Sequence, residues 1–151
     1  MYTRILVATD GSRTATRALE EACKLARGTD ARVRVVHVMD SPYAYPDAWY
    51  PAGSVDVEAV DRSWRRAGQA ILEQAARQAQ ETGVAVETAL LQREGQRVSR
   101  VIVDEATRWS AEVIVVGVHG QGQGPEQLLI GSVTDSVVRL AGVPVLLVRA
   151  R

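Results

Sequence analysis

The chain contains no phenylalanine, a single lysine (Lys24) and a single cysteine (Cys23). One thiol excludes an internal disulfide framework and fits a reducing compartment. Set among Ala22, Leu25 and Ala26, Cys23 reads as a packed helix thiol rather than a nucleophile. The only histidines are His37 and His119, and no Cys/His cluster has zinc spacing. Charge of one sign is lacking too. Eighteen basic and 18 acidic residues give a formal net charge of zero, which removes bulk attraction to nucleic acid or to an anionic membrane. No apolar run approaches membrane-spanning length, and strand-like residues beginning at Ile5 leave no room for a basic-then-apolar signal segment. These absences predict a soluble, cytoplasmic protein with no membrane or nucleic-acid partner. No G-x-x-x-x-G-K-[ST] loop occurs, and Asp10-Gly11-Ser12 lacks the G-x-G-x-x-G dinucleotide pattern. No nucleophile stands beside a partnered base in sequence, so no catalytic residue and no metal ligand is assigned.

What remains is aliphatic. Of the 151 residues, 46% are hydrophobic, enough for one domain over 1–151 with a real core. Short continuous apolar runs alternate with amphipathic segments. Arg4 to Ala8 is a strand buried on both faces. Thr9-Asp10-Gly11-Ser12 breaks it, and a helix follows with Ala15, Ala18, Leu19, Ala22, Leu25 and Ala26 at helical spacing, capped by Ser12 or Asp10 and ended by Gly28. Arg32 to Val38 is the second strand. Residues 40–53 carry three prolines and four aromatics without a period, a long loop expected to form a partly ordered flap. A second helix starts at Asp56 or Asp61 and runs to about Glu81, with Val57, Val60, Trp64, Ala67, Ile71, Ala75 and Ala79 on one face. Val84 to Leu91, Val113 to Val116 and Val143 to Val148 are the remaining strands. Between them lie a helix marked by Val98, Ile102, Ala106 and Trp109 and a shorter one from Ser132 to Ala141. The alternation predicts an α/β fold: a doubly wound, five-stranded parallel sheet with helices on both faces.

Ligands of such sheets sit outside the C-terminal strand ends. The segment Val113 to Ser132 is the outstanding candidate: a buried strand stops at Gly117, Gly120, Gly122 and Gly124 follow, and Gly131-Ser132 opens a helix. Free N–H groups and the positive end of the helix dipole there suit an anion, with the hydroxyls of Ser132 and Thr134 beside them. If the first and fourth strands are neighbours, Asp10 flanks the same crevice, either binding a ribose or amine or capping its helix.

From Ile5 to Val148 the chain resembles the universal stress protein family. The resemblance is carried by ILVATDGS (5–12), VVHV (35–38), GVHG (117–120), GSVTDSVV (131–138) and VPVLLV (143–148). In the family's ATP-binding branch the glycines follow the pattern glycine, two residues, glycine, nine residues, glycine, then Ser or Thr. Gly117, Gly120, Gly131 and Ser132 match it, with ten residues, Gln121 to Ile130, in the longer interval. The resemblance implies an adenine nucleotide alpha hydrolase-like sheet of order 3-2-1-4-5 that binds ATP or a related adenine nucleotide, with Mg. It places Ala8, Thr9 and Asp10 around the adenosine, the Val38 backbone at adenine, and Val116 and Gly117 along the base or ribose. Gly120, Gly131, Ser132, Val133 and Thr134 would hold the phosphates, while His119 either touches phosphate or is a tolerated loop residue. It also implies a homodimer paired through Val143 to Val148, an apolar edge that needs cover, and a regulatory or stress-response module with a protein partner that the sequence does not name. The alternatives are a scaffold of the same family that binds no nucleotide, or a slow ATPase or phosphotransferase.

Overall fold

Strand β1 (Arg4–Ala8) lies at the middle of the sheet, and its neighbours follow from the chain's alternation. The computed structural model describes residues 1–40, 51, 53, 55–118 and 130–150. The remaining elements are α1 (Arg13–Ala26), β2 (Arg32–Met39), α2 (Val57–Gln80), β3 (Ala85–Gln92), α3 (Val98–Arg108), β4 (Val113–Gly117), α4 (Ser132–Leu140) and β5 (Val145–Val148). The five strands form one sheet in the order β3-β2-β1-β4-β5, all parallel. The expected order and the doubly wound layering are both found.

Successive side chains of a strand point to opposite faces, and both faces are apolar here. Ile5, Val7, Val33, Val35, Val113 and Val115 pack on α1 and α2 through Leu19, Ala22, Leu72 and Ala75. Leu6, Val36, Val38, Ile114 and Val116 pack on α3 and α4 through Ile102, Ala106 and Val137. Of the predicted flap over 40–53, residues 41–50 and 52 lie outside the described residues, as does the glycine-rich segment 119–129. Among the described residues no helix is long and apolar enough to cross a membrane.

Local chemistry sets the boundaries. Ser12 caps α1 by accepting from the Ala15 N–H at 3.2 Å, and Asp56, not Asp61, caps α2 at the Ala59 N–H, 3.0 Å. Gly28 adopts φ +75° after α1, the left-handed step that often ends a helix. β5 is shorter than expected: Val143 and Pro144 precede it, because proline has no N–H for the ladder, although the Pro144 carbonyl still accepts from Ile114 at 3.0 Å. β3 runs one residue later than read, from Ala85 to Gln92.

One expected face holds only in its second half, where Ala75 and Ala79 are buried. In α2 the buried residues are Gly68, Leu72, Ala75 and Ala79, while Val57 is 51% and Trp64 39% exposed. Helical periodicity continues into the first turns of α2, but the sheet beneath them does not.

At the N-terminal end of the strands sits an ion network. Glu105 of α3, 2% exposed, accepts from Arg34 at 2.5 Å and pairs with Arg108. Arg34 also reaches Glu87 of β3 at 3.2 Å and lies 5.0 Å from the Trp109 ring centroid. Burial lowers the Arg34 pKa, but hydrogen bonds to Glu87 and Glu105 outweigh it and hold the guanidinium above its usual range. Removing one member of a buried pair leaves the other charge uncompensated. Glu105→Ala is therefore expected to destabilise the protein by about 2–4 kcal/mol in urea unfolding, and Arg34→Met in the same chain to recover part of the loss. A Glu105→Ala protein as stable as wild type would show the pair to be dispensable.

Candidate functional site

β1 and β2 stop at different heights. Ala8 pairs with Val36, and β2 continues to Met39. The Thr9 N–H still reaches the Val36 carbonyl, at 2.9 Å, and there the β1 ladder ends. In a parallel strand the N–H and C=O of one residue face the same neighbour, and alternate residues face the other. Val36 faces β1, so Val38 faces the same side, beyond the last residue of β1. One donor and one acceptor thus turn toward open space.

That space is a cavity of about 500 Å³, within the size range of small-molecule sites. Of the residues the sequence singled out, Ala8, Thr9, Asp10, Val38, Val116, Gly117, Gly131, Ser132, Val133 and Thr134 all line it. Gly120 and His119 lie outside the described residues. His37 and Asp40, at the end of the second strand, line it as well, and the structure brings in residues that sequence reasoning missed: Trp64, Gly68, Ile71, Val98 and Ile102. Among the described lining residues there is no lysine or arginine.

The polar end is the start of α4. Gly131 is its N-cap at φ −58°, ψ 151°, with no side chain to cap the first turn. Its own N–H donates to the Val118 carbonyl at 2.8 Å. Among the described residues nothing accepts from the N–H groups of Ser132, Val133 and Thr134. An uncapped helix start facing a cavity is an anion site by geometry and by dipole. Asp135, the acidic residue of that turn, pairs with Arg139 at 2.9 Å. The expected role of the Thr134 hydroxyl changes: it donates to the Gly117 carbonyl at 2.7 Å and ties α4 to the end of β4. Ser132 is left as the hydroxyl at the mouth.

On the other side, Asp10 Oδ1 accepts from the Ser12 N–H at 2.9 Å and Ser12 caps α1. Asp10 thus orients the cap while lining the cavity. Thr9 is committed to the wall: its hydroxyl accepts from the Gly11 N–H at 3.2 Å and its carbonyl from His37 Nδ1 at 2.8 Å. A carbonyl can only accept, so Nδ1 carries the proton. The imidazole packs against α2 at Gly68, where an added Cβ would lie 3.0 Å from His37 Cδ2 and 2.7 Å from Leu90 Cδ1.

Gly117 has a packing reason of its own. A Cβ there would sit 2.6 Å from Thr14 Cγ2 and 3.1 Å from the Thr14 backbone carbon, so α1 rests directly on the end of β4. Gly117→Ala is expected to destabilise by about 1–3 kcal/mol through overpacking, and Thr14→Ser, which removes the nearest methyl, to relieve part of it. Thermal unfolding of the two variants checks this, and an unchanged melting temperature for Gly117→Ala would refute it.

Comparison with known proteins agrees with this architecture. Residues 1–149 match the Universal stress protein family. A universal stress protein of Methanocaldococcus jannaschii is 33% identical over 149 residues, covering 99% of this chain and 83% of its own. A crystal structure from the family in Burkholderia pseudomallei is 30% identical with a TM-score of 0.77, covering 99% of this chain and 97% of its own. The Archaeoglobus fulgidus protein solved in complex with dAMP is 28% identical with a TM-score of 0.68 and covers 97% and 98%. A family member solved in complex with cAMP is 25% identical with a TM-score of 0.65 and covers 97% and 96%. With a matching family over nearly its whole length and a sheet of the same fold, the chain belongs to the universal stress protein family.

Proposed function

We propose that the protein binds an adenine nucleotide in the cavity between the end of β1 and the start of α4, and acts as a regulatory stress-response module rather than as an enzyme. The observation that carries this reading is the pairing of two unlike ends in one cavity. One end offers uncapped N–H groups at Ser132–Thr134 for phosphate. The other offers the N–H and C=O of Val38 for the edge of a base, with Val36, Val98 and Ile102 as apolar walls. Asp10 and Gly117 line the cavity as well and are the residues proposed to face a ribose. The dAMP and cAMP complexes of similar proteins support the ligand class. ATP, with Gly120 and the rest of the glycine segment around its outer phosphates, is the full form of this proposal. Among the described residues no group of three His, Cys, Asp or Glu could hold a metal, so magnesium would arrive on the phosphates. A cytoplasmic setting suits the single buried thiol of Cys23.

We further propose a homodimer through β5. β5 ends the sheet, Val143 to Val148 carry no charge, and Leu146 is 37% exposed. Antiparallel pairing of two copies satisfies the open edge under two-fold symmetry.

Calorimetric titration of nucleotide-free protein with AMP and Mg-ATP tests the ligand. At 100 times the dissociation constant, a ligand bound only by the folded state adds about 2.7 kcal/mol of stability, so an absent thermal shift argues for the scaffold reading. Phosphate release from ATP tests the enzyme reading. Ser132→Pro isolates the helix start. Proline fits the first helical position, the Gly131 backbone already has the extended geometry required before proline, and the change removes one N–H and one hydroxyl. We expect a near-native melting temperature and roughly tenfold weaker AMP binding, the loss of one charge-assisted hydrogen bond. Undiminished affinity would move the phosphate elsewhere. For the dimer, Leu146→Asp is expected to give monomers in light scattering at tens of micromolar, where wild type is dimeric. A dimer that survives the substitution places the interface on another surface.

A further inference from the structure

We propose that Trp64 is the stacking wall of the base subsite, and that the pocket therefore selects a flat aromatic ring rather than any apolar group. This inference rests on the nucleotide reading above. α2 crosses β2 and β3 at Gly68, which touches His37 and Leu90. It then runs down over the core through Leu72, Ala75 and Ala79. Trp64 is four residues earlier, so it stands about 6 Å farther toward the C-terminal end of the strands. Two residues of β2 span about the same rise, which puts Trp64 level with Met39 and Asp40, just past Val38. It lines the cavity there and is 39% exposed, on the same helical face as Gly68 and Ile71. The small Ala67 and Gly68 keep the space beside it clear.

The sheet supplies the second half of the argument. The free N–H and C=O of Val38 lie in the plane of the sheet, aimed along the line that β1 would have followed. A ring bonded to both by its edge lies near that plane, and its two faces look at the two helix layers. One layer, α3, offers Val98 and Ile102. The other, α2, offers Trp64. An indole over one face and aliphatic groups over the other is a chemistry suited to a purine, since aromatic stacking follows the π-face of a base. An exposed tryptophan at the level of the last paired residues of β2 and β3 belongs to neither core cluster.

The test uses the full chain with Trp64→Ala, Trp64→Leu and Trp64→Phe, AMP as the titrant, and the 2-aminopurine ribonucleotide as a probe whose emission falls when it stacks. We expect Trp64→Ala and Trp64→Leu to weaken AMP binding roughly tenfold and to restore the emission of the bound probe. Trp64→Phe should keep affinity within about threefold of wild type, the scale of less than one pairwise stacking contribution, with the emission still quenched. All three should melt near wild type, because the side chain is outside the core. Trp64→Leu binding as tightly as Trp64→Phe overturns the stacking role, and so does Trp64→Ala at wild-type affinity, while both outcomes leave the nucleotide reading standing. Wild-type protein that binds neither AMP nor ATP overturns the nucleotide reading and this inference together.

Discussion

The early end of β1 is the constraint on which the rest depends. Its neighbours run on, β2 to Met39 and β4 to Gly117, so a notch opens in the middle of the sheet. Three side-chain bonds of the Thr9–Ser12 turn serve that stop. Asp10 takes the Ser12 N–H, Ser12 takes that of Ala15, and Thr9 takes that of Gly11, whose φ of +79° suits glycine. These bonds spend the turn's polar groups internally and swing α1 away from the strand axis. The notch then exposes Val38 on one side and admits the start of α4 on the other. A topological switch point becomes a site because one strand is short, and the short strand is held short by its own capping chemistry.

The glycine signature looks uniform in sequence and is not uniform in space. Gly117 leaves out a Cβ because Thr14 occupies the place. Gly131 has an ordinary negative φ, so it is not required for handedness. It ends in an uncapped helix, a consequence of lacking a side chain oxygen rather than of backbone freedom. An uncapped helix start and close helix packing thus use the same residue type for separate reasons, and substitutions along the motif should not share one phenotype.

Much of this was legible. Strand runs such as Ile5-Leu6-Val7 and Val113 to Val116 are apolar on both faces, and that is sufficient for a covered parallel sheet. The crevice followed from topology, and ten of the residues read from the family resemblance converge on it. The α2 face was misread because periodicity records which side of a helix is apolar and not how far the sheet extends beneath it. Trp64 fits the stripe of Val60, Ala67 and Ile71, so sequence alone assigns it to the core. His37 stands at a strand end in the sequence, but its contacts were hidden: its bond to the Thr9 carbonyl spans residues far apart in the chain, joined only by the β1–β2 register. The signal that could have exposed both is Gly68, a glycine inside a long helix, where propensity disfavours it unless something packs close.

The buried ion network and the cavity lie at opposite ends of the same strands. Glu105, Arg34, Glu87 and Trp109 join α3 to the sheet near the strand N-termini, where the Glu112 carboxylate also accepts from the Thr3 and Arg4 N–H groups. Those hydrogen bonds hold the Glu112 carboxyl below its usual range. A depressed carboxyl stabilises the fold above its ordinary pKa and loses that contribution as pH falls through the depressed value. The Glu112 contribution is therefore kept until pH falls below the ordinary carboxylate range. Substitutions at sites without shared partners add nearly independently. The uncapped helix start, the ended ladder at Val38 and the exposed Trp64 each leave interactions unmade in the free protein, and they are tolerable because the opposite end of the sheet is tied by buried charge and by two apolar layers.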